Sequence, residues 1–241
     1  MSTNYRQLFA KYLHGDGIEI GALHNPFWVP PEAHVRYVDK HSPAELAQTY
    51  PDVPATQIRV PDIVCKTGDL DPIENNSLDF VIASHILEHS DNPLKLLCTW
   101  HRKLKVGGSL LLVLPDSRFT FDLGRPLTSL EHLIWDFRNY GSQLKELTDL
   151  AHIAECNLNM HDSLNVDSSL ELAKTILRTS RDTHFHVWTY DSFQKQLNAM
   201  ITEYGLPYRV ARAACDEKIE MLFLLDAVAG TDDASIFECE Q

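Results

Sequence analysis

Short apolar runs alternate along the chain with stretches whose apolar residues recur at helical spacing, the pattern of a parallel sheet with helices on its faces. Ile18-Glu19-Ile20 ends at Gly21 and Val35-Arg36-Tyr37-Val38 ends at Asp39, so both are expected as short strands. Ser42 then caps a predicted helix over Pro43–Thr49, with Pro43 at its first position and Glu45 three residues after the cap. The runs 78–83, ending at Ser84, and 109–114, closed by Pro115, are almost wholly apolar. Strands buried on both faces read this way. Between them Pro93, Leu94, Leu97, Trp100 and Leu104 repeat at helical spacing over residues 92–105, and Gly107-Gly108 is expected to stop that helix.

Residues 126–181 break the rhythm. They hold helical patterns at 127–140, 143–158 and 168–177 and no convincing strand, so a helical insert is expected after the fifth strand. A predicted helix over 190–204 follows, then candidate strands at 208–214 and 219–228. The four residues between those strands are too few for a parallel crossover. An antiparallel hairpin at the sheet edge is expected instead. The length of 241 residues suits one α/β domain over 1–241, with 126–181 inserted in it and a frayed tail at 231–241.

Composition then narrows the partners. The chain is 44% apolar and 23% charged, as globular proteins are. Lys and Arg number 21 against 34 Asp and Glu, a net charge of −13 that repels phosphate backbones and anionic lipid heads. Nucleic acid and membrane surfaces are not expected partners. The longest apolar stretches, 110–114 and 221–225, fall far short of the ~20 residues needed to span a bilayer. Residues 1–6 lack the basic-then-apolar layout of a signal peptide. The five cysteines, Cys65, Cys98, Cys156, Cys215 and Cys239, are scattered and odd in number. A cytoplasmic protein without disulfides or a CxxC metal site is expected.

An α/β sheet binds its ligand outside the carboxyl ends of its strands, where strand order reverses. The residues that carry chemistry cluster at such predicted ends. Gly21 follows the first strand, where a missing Cβ lets a ligand approach the backbone. Asp39 closes the second strand 18 positions later, placing a carboxylate where it can accept both hydroxyls of a ribose. Asp69-Leu70 precedes Pro72 at an expected third strand end, and Ser84-His85 closes the fourth strand. One glycine, two or three carboxylates and few cations suit a nucleoside carrying positive charge better than a dinucleotide, whose pyrophosphate wants glycine-rich amides at a helix start.

These segments resemble a family. Gly17-Ile18-Glu19-Ile20-Gly21, Tyr37-Val38-Asp39, Asp69-Leu70, Asn76-Ser77-Leu78-Asp79-Phe80-Val81, Ser84-His85-Ile86-Leu87-Glu88-His89 and Leu104-Lys105-Val106-Gly107-Gly108-Ser109-Leu110 are together similar to the class I S-adenosylmethionine-dependent methyltransferases. Within that family the likeness is to the methyltransferase-11-like group, whose fourth strand ends in a Leu-Glu-His segment. The resemblance covers about residues 17–118 and the edge hairpin. It implies an α/β, Rossmann-like, seven-stranded, mostly parallel sheet with an antiparallel last strand, S-adenosylmethionine as methyl donor, and a variable cap that chooses a small-molecule or glycan-like acceptor. It further implies that Glu19 and Gly21, with Ala22 beside them, flank the methionine part of the donor, and that Asp39, with Lys40 next to it, holds the ribose. Asp69 accepts from the adenine amino group, Leu70 packs on the ring, and Ser84 and His85 lie near the sulfonium. In place of the family's further glycines the first loop reads Ala22-Leu23-His24-Asn25-Pro26-Phe27.

Other readings attach to the histidines. His85-x-x-Glu88-His89 matches the H-x-x-E-H pattern of inverted zinc proteases, which needs a helix around it. Here it follows a strand and precedes Asp91-Asn92-Pro93. A zinc hydrolase is therefore the weaker alternative: no metal ligand is expected, and Glu88 and His89 are expected to cap or pair near the next helix. His184, His186 and Trp188 share one face of an alternating segment. The two histidines are candidate catalytic bases, since methylating a hydroxyl calls for a base and histidine is the commonest. Packing of the insert onto the sheet is the competing role. His89, Arg125, His132 and Trp188 are candidate acceptor contacts, with Arg118 and Arg138 nearby. A protein that binds the nucleoside donor as a non-catalytic scaffold remains a further class.

Overall fold

The computed structural model describes residues 4–66, 68–160, 164–179, 183–216 and 218–230. The tail at 231–241 and the end of the insert at Arg181 lie outside them. The strands β1 (Gly15–Ile20), β2 (Ala33–Asp39), β3 (Ile63–Val64), β4 (Leu78–Ser84), β5 (Leu104–Pro115), β6 (Tyr208–Cys215) and β7 (Glu220–Ala227) form one sheet in the order β3-β2-β1-β4-β5-β7-β6. β1 to β5 pair in parallel, whereas β7 runs antiparallel to both β5 and β6. β1 lies between β2 and β4, so strand order reverses at its carboxyl end. The expected edge hairpin is present. Asp216 makes its turn by accepting from the backbone N–H groups of Lys218, Ile219 and Glu220, each at 2.9 Å.

The all-apolar runs hide a strict alternation. In β4, β5 and β7, Val81, Ala83, Leu110, Leu112, Leu114, Met221, Phe223 and Leu225 face one core, and Phe80, Ile82, Leu111, Val113, Leu222 and Leu224 face the other. Each fully buried Leu, Val or Phe contributes about 1.5–3 kcal/mol relative to exposure. The first face is covered by the helices α3 (Pro93–Lys103), α4 (Leu130–Arg138) and α7 (Tyr190–Thr202) through Leu97, Trp100, Leu133, Phe193 and Leu197. The second is covered by α1 (Tyr5–Ala10), Leu13 and Phe27.

Local chemistry fixes several boundaries. Ser42 caps α2 (Pro43–Thr49) in a reciprocal capping box with Glu45, as the sequence predicts. α3 stops at Lys103, earlier than the glycines suggest, because Leu104 already pairs with Leu78. Gly107 and Gly108 instead lie inside β5, where the register shifts between Leu78 and Phe80 and Gly107 takes a φ of +83°. Asp69 does not end a strand. β3 has two residues, and Asp69 and Leu70 lie beyond it in a turn where Leu70 has a φ of +49°. Residues 126–181 supply α4, α5 (Gln143–Met160) and α6 (Val166–Thr179), with no strand among the described residues. Residues 21–32 connect β1 to β2 as a loop. Among the described residues no helix is long and apolar enough to cross a membrane.

Candidate active site

A cavity of about 610 Å³ opens at the carboxyl ends of β1, β2 and β4. Gly21, Asp39, Lys40, Ser84 and His85 enter its wall from the strand ends, and Asp69 from the turn after β3. The opposite wall comes from the insert: Tyr140, Asp149 of α5 and Leu177 of α6, then Thr183 and Phe185. The sheet end and the insert thus enclose one space.

The donor-side residues differ in what they do there. Asp39 accepts from the backbone N–H of His41 at 2.9 Å, and burial raises its carboxyl above the usual range. Asp69 has Lys95 Nζ at 3.4 Å, and Lys95 in turn lies 4.3 Å from the Tyr140 ring centroid. Gly21 has a φ of +66°, and a Cβ there would sit 2.5 Å from Ile86 Cδ1. Its bare backbone therefore widens the cavity between β1 and the loop after β4. Glu19 and Leu70, at 1% and 0% exposure, stand outside the lining, as does Ala22. Glu19 accepts from the Phe27 N–H with both oxygens, at 2.9 and 3.0 Å, and burial lifts its pKa to about 7. It pins the 21–32 loop. Leu70 is instead part of the core beneath the floor.

His85 is held rigidly. Its φ of +55° turns it out of β4, its N–H donates to the Val113 carbonyl at 2.8 Å, and Nε2 lies 3.0 Å from Glu220 Oε1. Burial opposes the charged imidazole, yet Glu220 and Glu88 outweigh it and raise the pKa to about 9. Glu220 falls to about 2, against its own burial, because His85 and Arg6 both face it. Arg6 also donates to Ser84 Oγ at 3.2 Å. A strand-end histidine that keeps its proton at neutral pH is a donor and a charge, not a base.

The 183–188 segment alternates as expected, with the opposite parity toward the cavity. Thr183 and Phe185 face it, while His184, His186 and Trp188 point into the interior, at 9%, 2% and 1% exposure. The reason is the bed beneath them. His184 Nδ1 lies 2.6 Å from Asp122 Oδ2, and His186 Nε2 lies 3.0 Å from Asp136 Oδ2. His186 also stacks on Trp188, and burial lowers its pKa to about 4. Arg125 is buried too, donating to Asp122 at 2.5 Å and to the His184 carbonyl at 2.8 Å, and His132 pairs with Asp136 at 3.1 Å. None of His184, His186, Arg125, His132 or Trp188 is in the lining. His89 is, its Nδ1 lying 3.0 Å from the Thr183 carbonyl and its ring edge-on to His184 at 4.6 Å.

The sequence reading missed Asp122, Asp136 and Phe185, and Lys145, whose Nζ lies 3.2 Å from Asp136 Oδ1. An odd-even choice was the available signal for Phe185. For the carboxylates the spacings Asp122–Arg125 and His132–Asp136 were local signals, whereas His184 and His186 lie 62 and 50 residues away.

Residues 15–112 match the family model of a methyltransferase domain, which ends within β5 and leaves the insert and the hairpin outside. No curated protein matches. Among solved structures, the chain is similar to a SAM-dependent methyltransferase from Aquifex aeolicus, at 13% identity and a TM-score of 0.46, covering 94% of this chain and 91% of that one. It is likewise similar to a SAM-dependent methyltransferase from Methanosarcina mazei, at 15% identity and 0.45, covering 95% and 99%. A third, from Thermotoga maritima, is described as a possible histamine N-methyltransferase, at 14% and 0.46, covering 93% and 87%.

Proposed function

We propose that this chain, whose residues 15–112 match the model of a methyltransferase domain, is a class I, S-adenosylmethionine-dependent enzyme that methylates a hydroxyl of a small-molecule or glycan-like acceptor held between the sheet end and the insert. The residues present fit the donor. Gly21 leaves a cradle that a Cβ would fill, and the Asp39 carboxylate closes the neighbouring strand, where a ribose diol would be held. In this reading Asp69 accepts from the adenine amino group. When bound, the donor supplies an electrophilic methyl carbon, to which the acceptor oxygen bonds as the carbon–sulfur bond breaks and sulfur keeps the electron pair.

The protein supplies position and a path for the proton. Holding two reactants in attack geometry is worth ~7–11 kcal/mol. His85 already carries its proton, so the acceptor's proton passes to water in the cavity. In this reading His186, Trp188 and His132 fasten the insert over the cavity, and Arg125 orients Asp122 behind His184.

One observation carries the acceptor class. Strand ends and insert line a single cavity of about 610 Å³, within the ~300–1,000 Å³ range of small-ligand pockets. The net charge of −13 also opposes nucleic acid. Incubation with methyl-labelled donor, a metabolite extract and a panel of glycans should place the label in a small hydroxylated product. Label recovered in RNA or protein, or donor binding without turnover on any acceptor, would overturn the reading.

A further inference from the structure

We propose that Glu88, His89 and His184 form a binding site for a divalent transition-metal ion of the zinc type, beside the cavity. The three residues come from two distant parts of the chain. Glu88 and His89 lie in the turn Leu87–His89 after β4, and His184 arrives with the segment before α7. One ligand atom from each lies within 4.8 Å of the others, and His89 Nε2 is 3.9 Å from Glu88 Oε1. A tetrahedral ion with bonds of about 2.0–2.2 Å draws its ligand atoms to about 3.4 Å from one another. Small side-chain rotations close that difference.

Two independent observations point to a cation there. Glu88 is fully buried, yet neither of its oxygens has a hydrogen-bond partner among the described residues. The nearest partner, His85 Nδ1, pairs with Oε1 only at 3.4 Å and leaves both oxygens without a hydrogen bond. A buried carboxylate whose oxygens lack hydrogen bonds is costly even with one imidazole beside it, and a bound cation offsets that cost. The outer contacts of the two histidines are also those of metal ligands. His184 turns Nδ1 to the Asp122 carboxylate, itself fixed by Arg125, and His89 turns Nδ1 to the Thr183 carbonyl. Each contact sets the tautomer that presents Nε2 inward, as carboxylate and carbonyl partners do around zinc. Two imidazoles and one carboxylate suit zinc, cobalt or iron(II) rather than magnesium or calcium.

The sequence reading weighed His85 and His89 as the histidine pair. The structure substitutes His184 for His85, which Glu220 engages instead. Because His89 lines the cavity, an ion here has a coordination position toward the acceptor. Resting on the proposed methyl transfer, its role would be to bind the acceptor hydroxyl, whose O–H bond then breaks with the proton passing to water while the oxygen keeps the electron pair for attack on the methyl carbon.

The test separates the two readings because it uses neither donor nor acceptor. Chelator-stripped, refolded-checked protein is titrated with Zn²⁺ by calorimetry and with Co²⁺ by visible absorption. One equivalent per chain and cobalt bands of a low-coordinate site are expected. Glu88→Gln and His89→Gln should each weaken binding by at least tenfold, and His184→Ala likewise where its melt shows a folded protein. His132→Ala, which disrupts the other histidine cluster, should leave affinity unchanged. Folded wild-type protein that binds neither ion, or affinity unaltered in both Glu88→Gln and His89→Gln, would overturn the site while leaving the methyltransferase reading intact.

Discussion

Two clusters in this molecule have the same ingredients, two histidines and one buried carboxylate, and nearly the same compactness. In one, His132, His186 and Asp136 are joined by Lys145, whose Nζ lies 3.2 Å from Asp136 Oδ1 while both histidines reach Oδ2 at 3.1 and 3.0 Å. Its positive charge is built in, and it ties α4 and α5 of the insert to the segment before α7. In the other, Glu88, His89 and His184, the described residues bring no lysine or arginine to the carboxylate, which meets only His85 Nδ1 at 3.4 Å and without a hydrogen bond. The difference is therefore one of charge closure rather than residue type. A closed cluster serves as a fastening, and an open one has room for a ligand.

The sharpest break in that comparison is to delete each carboxylate. Asp136→Ala strips His132, His186 and Lys145 of their shared buried carboxylate, leaving Lys145 only Asp149, and should destabilise the protein by about 3 kcal/mol in a denaturant melt. Glu88→Gln removes a buried charge that only the His85 imidazole faces, at 3.4 Å, so its melt should change by about 1 kcal/mol or less. Equal losses from the two substitutions would erase the distinction between fastening and site.

Donor binding should be independent of both clusters. Asp39→Ala removes charge-assisted hydrogen bonds worth about 1.5–3 kcal/mol each. Calorimetry should show donor affinity at least tenfold weaker, with the melts of the two cluster variants reproduced when combined with it. Unchanged affinity in folded Asp39→Ala would remove the ribose assignment.

A smaller effect follows from the pH response of the closed cluster. His186 ionises near 6.5 when unfolded and at about 4 in the fold, because burial disfavours the imidazolium. Between those values the unfolded chain binds the extra proton, so stability falls as pH drops from about 6.5 toward 4. Asp136, held below its ordinary range by His132 and His186 despite burial, adds a loss at still lower pH. Melts of wild type and His186→Gln across this window should show a steeper slope in the wild type. The smallest change is Gly21→Ala. A φ of +66° and a Cβ 2.5 Å from Ile86 Cδ1 should cost about 1 kcal/mol and displace the loop carrying Glu88 and His89, lowering metal and donor affinity together while leaving the Asp136 cluster unaffected.

Much of the fold could be read from the chain because its signals are local. The Ser42–Glu45 capping box, the apolar runs that become β4 and β5, and the four-residue gap that forces β6 and β7 into a hairpin each depend on neighbours only a few residues apart. The strand-end positions of Gly21, Asp39, Ser84 and His85 followed from the same logic. α1 and β3, at six and two residues, were too short to show a period. What the chain could not reveal was which side of an element faces the cavity and which distant group meets it. Alternation put His184 and His186 on one face, but Asp122 and Asp136 drew that face inward and left Phe185 at the cavity. Glu19 lay at the right place for a donor contact, yet its carboxylate was taken by the Phe27 N–H. Periodicity belongs to the backbone and is written locally. The partner of a buried charge is chosen by desolvation, which acts only once the segments have packed.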